Sequence, residues 1–98
     1  MVLQCDDCKY ISAVDSKPTP ETVESKEECI DFCEKNFSSL QCLSIQWRAE
    51  DEVSPARCNY INRKQYIYWK TIDFATEYEK GSEVWRRSCN ASGKIMVL

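Results

Sequence analysis

The sequence predicts a small, disulfide-rich α+β domain in which one helix packs on a curved antiparallel β-sheet. Seven of its 98 residues are cysteine, a density typical of disulfide-stapled proteins in an oxidising compartment. One capped, amphipathic segment predicts a helix, and several short segments rich in aromatic and β-branched residues predict strands. A single domain spanning residues 1–98 accounts for this pattern, because no repeat or flexible linker divides the sequence.

The first predicted elements are a strand and a loop. Residues 9–14 carry the apolar and aromatic side chains of a strand. Pro18 and Pro20 then place residues 16–20 in a loop, since proline fits neither a helix interior nor a paired central strand.

A capping box predicts the helix. The Ser25 hydroxyl is expected to accept from the amide of Glu28, and the Glu28 carboxylate from the amide of Ser25, so the helix begins at residue 26 and runs to about residue 36. Three residues spaced four apart form its core-facing side: Cys29, Cys33 and Phe37.

The second half of the chain predicts the remaining strands. Residues 42–47 alternate with a period of two, which places Leu43, Ile45 and Trp47 on one face. Their neighbours Cys42, Ser44 and Gln46 fall on the other face. Further strands are predicted over residues 57–61, 65–72 and 84–89, with turns at residues 50–55 and 77–83.

The composition argues against catalysis and against membrane insertion. The chain has no histidine, which excludes Ser-His-Asp and Cys-His catalytic sites, HExxH metalloproteases and Cys/His zinc fingers. The helix carboxylates are interpreted as a solvated face, so we expect no enzyme activity, no cofactor and no metal site. The longest apolar runs are four or five residues, far below the roughly twenty needed to span a bilayer.

The cysteine content and the start of the sequence together predict an extracellular module. No hydrophobic leader precedes Cys5, although the cysteines indicate secretion. We therefore interpret the chain as one domain of a longer secreted or cell-surface protein, with neighbouring domains.

Charge is distributed unevenly along the chain. Residues 1–56 carry five basic and twelve acidic side chains, whereas residues 57–98 carry eight basic and four acidic ones. Basic and aromatic residues of the second half form the predicted contact surface, and Arg86 and Arg87 extend the basic cluster. The residues predicted to bind the ligand are Arg57, Arg63, Lys64, Tyr66, Tyr68 and Lys70. Such a surface suits a protein or a sulfated glycan, and nucleic acid is not expected for a net acidic chain.

The cysteines of the helix point towards the strands. Cys29 and Cys33 lie one turn apart, and the following strands carry Cys42 and Cys58, so three pairings of these four are open. A bond between Cys29 and Cys33 is the least natural, because it would distort the helical turn. The odd total leaves one thiol over.

Three segments together resemble the PAN/apple family: residues 28–33 with a helical Cys-x3-Cys, residues 42–47, and residues 58–61. The resemblance implies bonds between Cys29 and Cys58 and between Cys33 and Cys42. It further implies that Cys5 or Cys8 pairs with Cys89, leaving the other as a spare thiol. It also implies a non-catalytic module that binds a protein partner, with a carbohydrate- or glycosaminoglycan-binding module as the alternative.

Two short motifs complete the sequence pattern. The Cys-x-x-Cys of Cys5 and Cys8 is typical of thiol redox proteins, but Asp6 and Asp7 disfavour a thiolate there, so this function is a remote alternative. The sequons at Asn36 and Asn90 make both asparagines possible N-glycosylation sites.

Overall fold

The computed structural model describes residues 1–62 and 74–87. In these residues the chain forms an α+β structure with a five-stranded antiparallel sheet and two short helices. The elements are β1 (Val2–Tyr10), β2 (Lys17–Pro18), α1 (Lys26–Lys35), α2 (Phe37–Leu40), β3 (Cys42–Arg48), β4 (Arg57–Asn62) and β5 (Thr76–Arg86). The strand order in the sheet is β1-β5-β3-β4-β2, so β3 is central.

Helix α1 begins where the sequence predicts. Ser25 is extended, with φ −138°, and its hydroxyl accepts from the Glu28 amide at 3.1 Å. The second half of the capping box differs, because the Glu28 carboxylate accepts from the amide of Glu24 at 3.2 Å rather than from that of Ser25. The helix ends at Lys35, and Phe37 starts α2 instead of continuing the core-facing side of α1.

The core between α1 and the sheet is built from cysteine and aromatic side chains. Phe32, which the helical spacing did not select, is buried and meets the Tyr60 ring edge-on, with centroids 5.4 Å apart. From the sheet, Ile45 and Trp47 of β3 pack into the same cluster. Helix α1 therefore covers β3 and β4, as one helix packed on an antiparallel sheet requires.

The predicted alternation of β3 is wrong at its first two residues, because a β-bulge lies at the start of the strand. The register with β4 shifts between Cys42 and Ser44, and one extra residue moves side chains to the opposite face. Cys42 consequently joins Ile45 in the helix-side cluster, whereas Leu43 packs against Phe37 and Phe74.

The turn predicted over residues 77–83 is wrong, because these residues belong to strand β5. These residues lie inside an eleven-residue strand that extends the predicted closing strand towards the N-terminus. Its polar side chains are tolerated because residues 76–78 pair with β1 and not with the central strand. The turn-forming residue that misled the prediction, Gly81, has φ +88° and lies in a bulge: Asp6 pairs with Glu83, but Cys8 pairs with Tyr78.

The β1–β5 ribbon bends at this bulge and folds over β3. The Tyr10 amide donates to Gln46 Oε1 at 2.9 Å, and the Tyr10 hydroxyl bonds to the Ser44 hydroxyl, which donates to the Trp85 carbonyl. Because β5 separates β1 from β3 in the sheet, these contacts require the ribbon to cross the face of β3 opposite α1. A second buried cluster forms there from Cys8, Tyr10, Ile61 and Val84.

The predictions for the other strands differ in outcome. The strand predicted over residues 57–61 is confirmed as β4, whereas the first strand ends at Tyr10 rather than at residue 14. The predicted loop over residues 16–20 contains the short edge strand β2, where Pro18 is acceptable because one side of an edge strand is unpaired. The strand predicted over residues 65–72 lies outside the described residues.

Candidate interaction surface

Two buried disulfides fix α1 to the sheet. Cys29 is bonded to Cys58 of β4, and Cys33 to Cys42 at the start of β3, which is the pairing that the resemblance implied. Three of these four residues are fully buried and Cys58 nearly so. The helix is thus anchored at both ends of its core-facing side.

The pairing expected for Cys5 and Cys8 is wrong. Cys5 and Cys8 are bonded to each other, so neither is bonded to Cys89 and neither is the spare thiol. The seventh cysteine, Cys89, lies outside the described residues. Between the bonded pair, Asp7 has a left-handed backbone with φ 49°. The pair lies within a strand rather than at a helix N-terminus, the position that activates thioredoxin-type cysteines.

Arg87 belongs to the interior and not to the predicted basic cluster. Its side chain donates to the carbonyls of Cys33 and Cys42, both at 2.7 Å, and it lies 4.2 Å from the centroid of the Phe37 ring. Burial lowers the pKa of Arg87, against the opposing effect of the Glu34 charge. Arg87 joins α1 to β3, and the residue is only 8% exposed, so it is not offered to a ligand.

At the C-terminal end of β3, two arginines lie side by side on neighbouring strands. Arg48 is the cross-strand partner of Arg57, and like charges in that position repel. The Glu79 carboxylate bridges them, with Oε1 3.5 Å from Arg48 Nη1 and Oε2 3.4 Å from Arg57 Nη2. Glu79 therefore offsets a repulsion that the strand register creates.

The bulge of β5 holds Glu79 in this position. The Ser82 hydroxyl donates to Glu79 Oε2 at 2.6 Å, and the Gly81 amide donates to Asp7 Oδ1 at 2.9 Å. Asp7 itself lies between the bonded Cys5 and Cys8. A continuous set of contacts thus runs from the local disulfide of β1 to the arginine pair.

The loop between β3 and β4 is organised by Asp51. Its Oδ1 accepts from the amides of Val53 and Ser54 at 2.8 and 2.7 Å, and its Oδ2 lies 3.2 Å from Arg48 Nη2. The two backbone amides, with the Arg48 charge as a smaller cause, lower the pKa of Asp51. Beside the loop is an open cavity of about 270 Å³ lined by Arg48, Ser54, Pro55, Ala56 and Arg57.

Two apolar side chains in the segments that contact the arginine pair are exposed to solvent. Val53 is 91% exposed and Tyr78 is 75% exposed, the highest values among the large hydrophobic residues of the described chain. Val53 belongs to the loop that Asp51 organises, and Tyr78 directly precedes Glu79. We call this region the bulge surface, defined by Arg48, Val53, Arg57, Tyr78 and Glu79.

The bulge surface overlaps the predicted contact surface at one residue. Arg57 lies within it, while Arg63, Lys64, Tyr66, Tyr68 and Lys70 lie outside the described residues. Sequence reasoning did not single out the other four residues of the bulge surface: Arg48, Val53, Tyr78 and Glu79. A tyrosine in the polar stretch of residues 77–83 was the available signal, because an aromatic side chain in a segment without an apolar pattern has no core to enter.

The first sequon is tied into the helix end. The Asn36 Nδ2, the atom that would carry a glycan, donates to the Phe32 carbonyl at 2.9 Å, and Oδ1 accepts from the Ser39 hydroxyl at 2.9 Å. Asn36 thus occupies the C-cap position of α1 and the N-cap position of α2, and its side-chain amide is engaged at both helices. The second sequon, at Asn90, lies outside the described residues.

Comparison with known proteins identifies no relative from which a function could be inferred. No family model, curated protein or solved structure matches the chain. Within residues 1–62 and 74–87, no cluster of histidine, cysteine and carboxylate side chains is arranged to hold a metal ion. No helix in the same residues is long and apolar enough to cross a membrane.

Proposed function

We propose that the chain is a non-catalytic extracellular recognition module that binds a protein partner as part of a longer secreted or cell-surface protein. The observation that carries this proposal is the bulge surface, where exposed Val53 and Tyr78 belong to the two segments that contact the Arg48–Arg57 pair. Tyrosine and arginine are enriched at the energetic centres of protein interfaces, and single exposed apolar groups beside them supply the surrounding contact.

The disulfide frame supports the same function. A surface that is already ordered before binding loses little conformational entropy on association, which favours affinity. The β3–β4 loop starts at a strand that the Cys33–Cys42 bond anchors and ends at a strand that the Cys29–Cys58 bond anchors. The β5 bulge contacts β1 beside the Cys5–Cys8 bond.

The PAN/apple assignment is part of the proposal. It is supported by a helical Cys-x3-Cys whose two cysteines are bonded to two strands of an antiparallel sheet. The local Cys5–Cys8 bond departs from the apple pattern, in which an outer disulfide joins the first and last strands. The proposal therefore rests on the helix and its two disulfides rather than on the outer one.

The test uses the purified domain against a panel of secreted and cell-surface protein ectodomains, with a glycan array measured in parallel. We expect saturable binding to a protein that weakens at least about tenfold in the double variant Val53→Ser/Tyr78→Ala, because truncating central interface residues has effects of this size. Leu3→Ser is the matched control, since Leu3 is also exposed but lies at the other end of β1. Saturable binding to a glycan together with no protein ligand, or equal loss in both variants, would overturn the proposal.

A further inference from the structure

We propose that the Arg48–Arg57 pair receives a glutamate side chain from the partner protein, which displaces Glu79 from between the two guanidinium groups. This inference rests on the proposed function, because it names the chemistry of the partner at the bulge surface. In this account Glu79 is an internal stand-in for the partner's carboxylate.

The contacts of Glu79 with the two guanidinium groups leave room for a better ligand, and displacement of Glu79 would break only one short bond, from the Ser82 hydroxyl at 2.6 Å. The distances of 3.4 and 3.5 Å to the two guanidinium groups lie at the weak end of hydrogen bonding. Charge-assisted pairs between arginine and carboxylate reach about 2.7–2.9 Å and often use two donors of one guanidinium. Arg57 contacts Glu79 through a single terminal nitrogen and is 45% exposed on its side chain, so a second carboxylate has access to it.

The cavity beside the pair suits the stem of that glutamate. Pro55 and Ala56 give its wall an apolar part, and the arginines give it charge. Exposed Val53 lies on the loop that Asp51 joins to Arg48, so it offers an apolar contact to residues next to that carboxylate. The site therefore fits a single carboxylate within an apolar segment.

The surrounding charges argue against a polyanion. Glu50 and Glu52 are exposed on the loop, next to Asp51, which is committed to the backbone amides of that loop. A sulfated glycan carries closely spaced negative charges and would meet these carboxylates, and like charges brought together at an interface are unfavourable. One glutamate brings a single negative charge and therefore meets less of this repulsion.

Displacement of an internal ligand has a distinctive signature. When the binding-competent form is only a fraction of the molecules, the apparent affinity falls by that fraction. Removing the charge of Glu79 should therefore tighten binding, whereas removing an ordinary contact residue weakens it. The bulge keeps its other anchor in such a variant, because the Gly81 amide still donates to Asp7.

The test titrates the full chain with two peptide libraries. Both have blocked termini and apolar flanking residues, and they differ in a central glutamate or glutamine. Nitrogen-15 NMR of the arginine Nε–H groups reports the site. We expect the glutamate library to shift the Arg57 signal, the glutamine library to leave it unchanged, and Glu79→Gln to tighten binding about threefold to tenfold.

Matched variants separate the alternatives. Glu77→Gln removes a carboxylate from the same strand that pairs with Lys9 and not with the arginines, and it should leave affinity unchanged. Arg57→Gln should lose at least about tenfold, and Lys17→Gln, an exposed cation on β2, should lose nothing. Equal effects of the Glu79 and Glu77 variants would overturn the inference, as would a gain on Glu79→Gln seen for a heparin oligosaccharide and not for the glutamate peptides.

The outcomes also distinguish this inference from the proposed function. A protein from the ectodomain panel that requires Val53 and Tyr78 but ignores Glu79→Gln and Arg57→Gln would overturn the glutamate and leave the recognition module standing. Absence of both a protein ligand and a glutamate-dependent shift would overturn the two together.

Discussion

Arg87 joins two elements through two backbone carbonyls. The carbonyl of Cys33 lies in the last turn of α1, where carbonyls lack partners within the helix, and that of Cys42 lies at the bulge of β3. The guanidinium gives each carbonyl its own nitrogen in a fixed planar fork, whereas a hydroxyl has one donor and an ammonium has all its donors on a single nitrogen. The residue thus completes the hydrogen bonding of two irregular positions at once.

Arg87→Leu should destabilise the domain by about 2–4 kcal/mol, because it leaves two buried carbonyls without donors. Arg87→Lys should fall between this variant and the wild type, since one ammonium cannot reproduce the fork. Urea unfolding at neutral pH measures both effects. Lys35→Gln, which removes an exposed i,i+4 pair with Asp31, serves as the control and should change stability by less than about 0.5 kcal/mol. A loss for Arg87→Leu no larger than that of the control would contradict the assigned role.

At this scale the sequence predicts local chemistry better than tertiary burial. The Ser25 cap was predictable because donor and acceptor are three residues apart. The burial of Arg87 was not, since its two acceptors are 45 and 54 residues away and arginine is seldom buried without a partner that the sequence would have to identify. The bridging role of Glu79 was hidden for the same reason, because it depends on the register of β3 with β4.

Among the elements, the β3–β4 loop derives its shape from one side chain. The Asp51 carboxylate accepts two backbone amides within its own loop, an arrangement that needs the charged form. The pKa of Asp51 is lowered from its ordinary value of 3.8. A lowered folded-state pKa contributes stability above the ordinary value, and this contribution is lost as the pH falls through the lowered one.

Acidification should therefore release the loop only below the ordinary pKa of a carboxyl group. We expect the Val53 and Ser54 amide resonances to keep their positions down to about pH 4 and to move towards random-coil values at lower pH. In Asp51→Asn this low-pH step should disappear, whereas Glu52→Gln, a charge change on the next residue, should retain it. The same movement in Asp51→Asn as in the wild type would assign the transition to another group.

The elements that sequence reasoning recovered are those with a local cause. The helix has its cap, and β4 has its aromatic and β-branched residues. Strand β5 was interpreted in part as a turn because Gly81 and five charged or polar neighbours are typical of turns. In the structure that composition suits a strand at the exposed end of a ribbon. The bulge of β3 has no sequence signal, since it depends on how β3 meets β4.

For the whole molecule, the three disulfides close loops of very different size. Their sequence separations are 29 for Cys29–Cys58, 9 for Cys33–Cys42 and 3 for Cys5–Cys8. In the chain-entropy account, these bonds stabilise the fold by about 3.6, 2.7 and 1.9 kcal/mol, through the unfolded state. The bonds of α1 therefore dominate the covalent stabilisation.

Replacing one disulfide at a time should reveal this order. Cys29→Ala/Cys58→Ala should lower the free energy of unfolding by about 3.6 kcal/mol, and Cys5→Ser/Cys8→Ser by about 1.9 kcal/mol. Urea unfolding of the oxidised variants, with peptide mapping of the remaining bonds, provides the measurement. The reverse order would mean that the Cys5–Cys8 bond acts mainly on the folded state, through the bulge that Asp7 and Gly81 share.

The fold class could be predicted from the sequence, but the pairing of the first strand with β5 could not. Cysteine density, one capped helix and several strand patterns indicate a disulfide-rich α+β domain. The pairing of the first strand with the last described strand joins residues 66 to 84 positions apart in the sequence, as between Tyr10 and Thr76 or Val2 and Arg86. Such pairings leave no local trace, so the strand order and the β1–β5 bulge required the structure.

The pairing of β1 with β5 has a consequence for folding during translation. Strand β1 leaves the ribosome first, yet its sheet partner, β5, is translated on the order of seconds later. During that interval Val2 and Leu3 belong to a strand without a neighbour, while the helix and its short-range Cys33–Cys42 bond are already within reach. The nascent chain therefore carries an unpaired β-strand until β5 has been made.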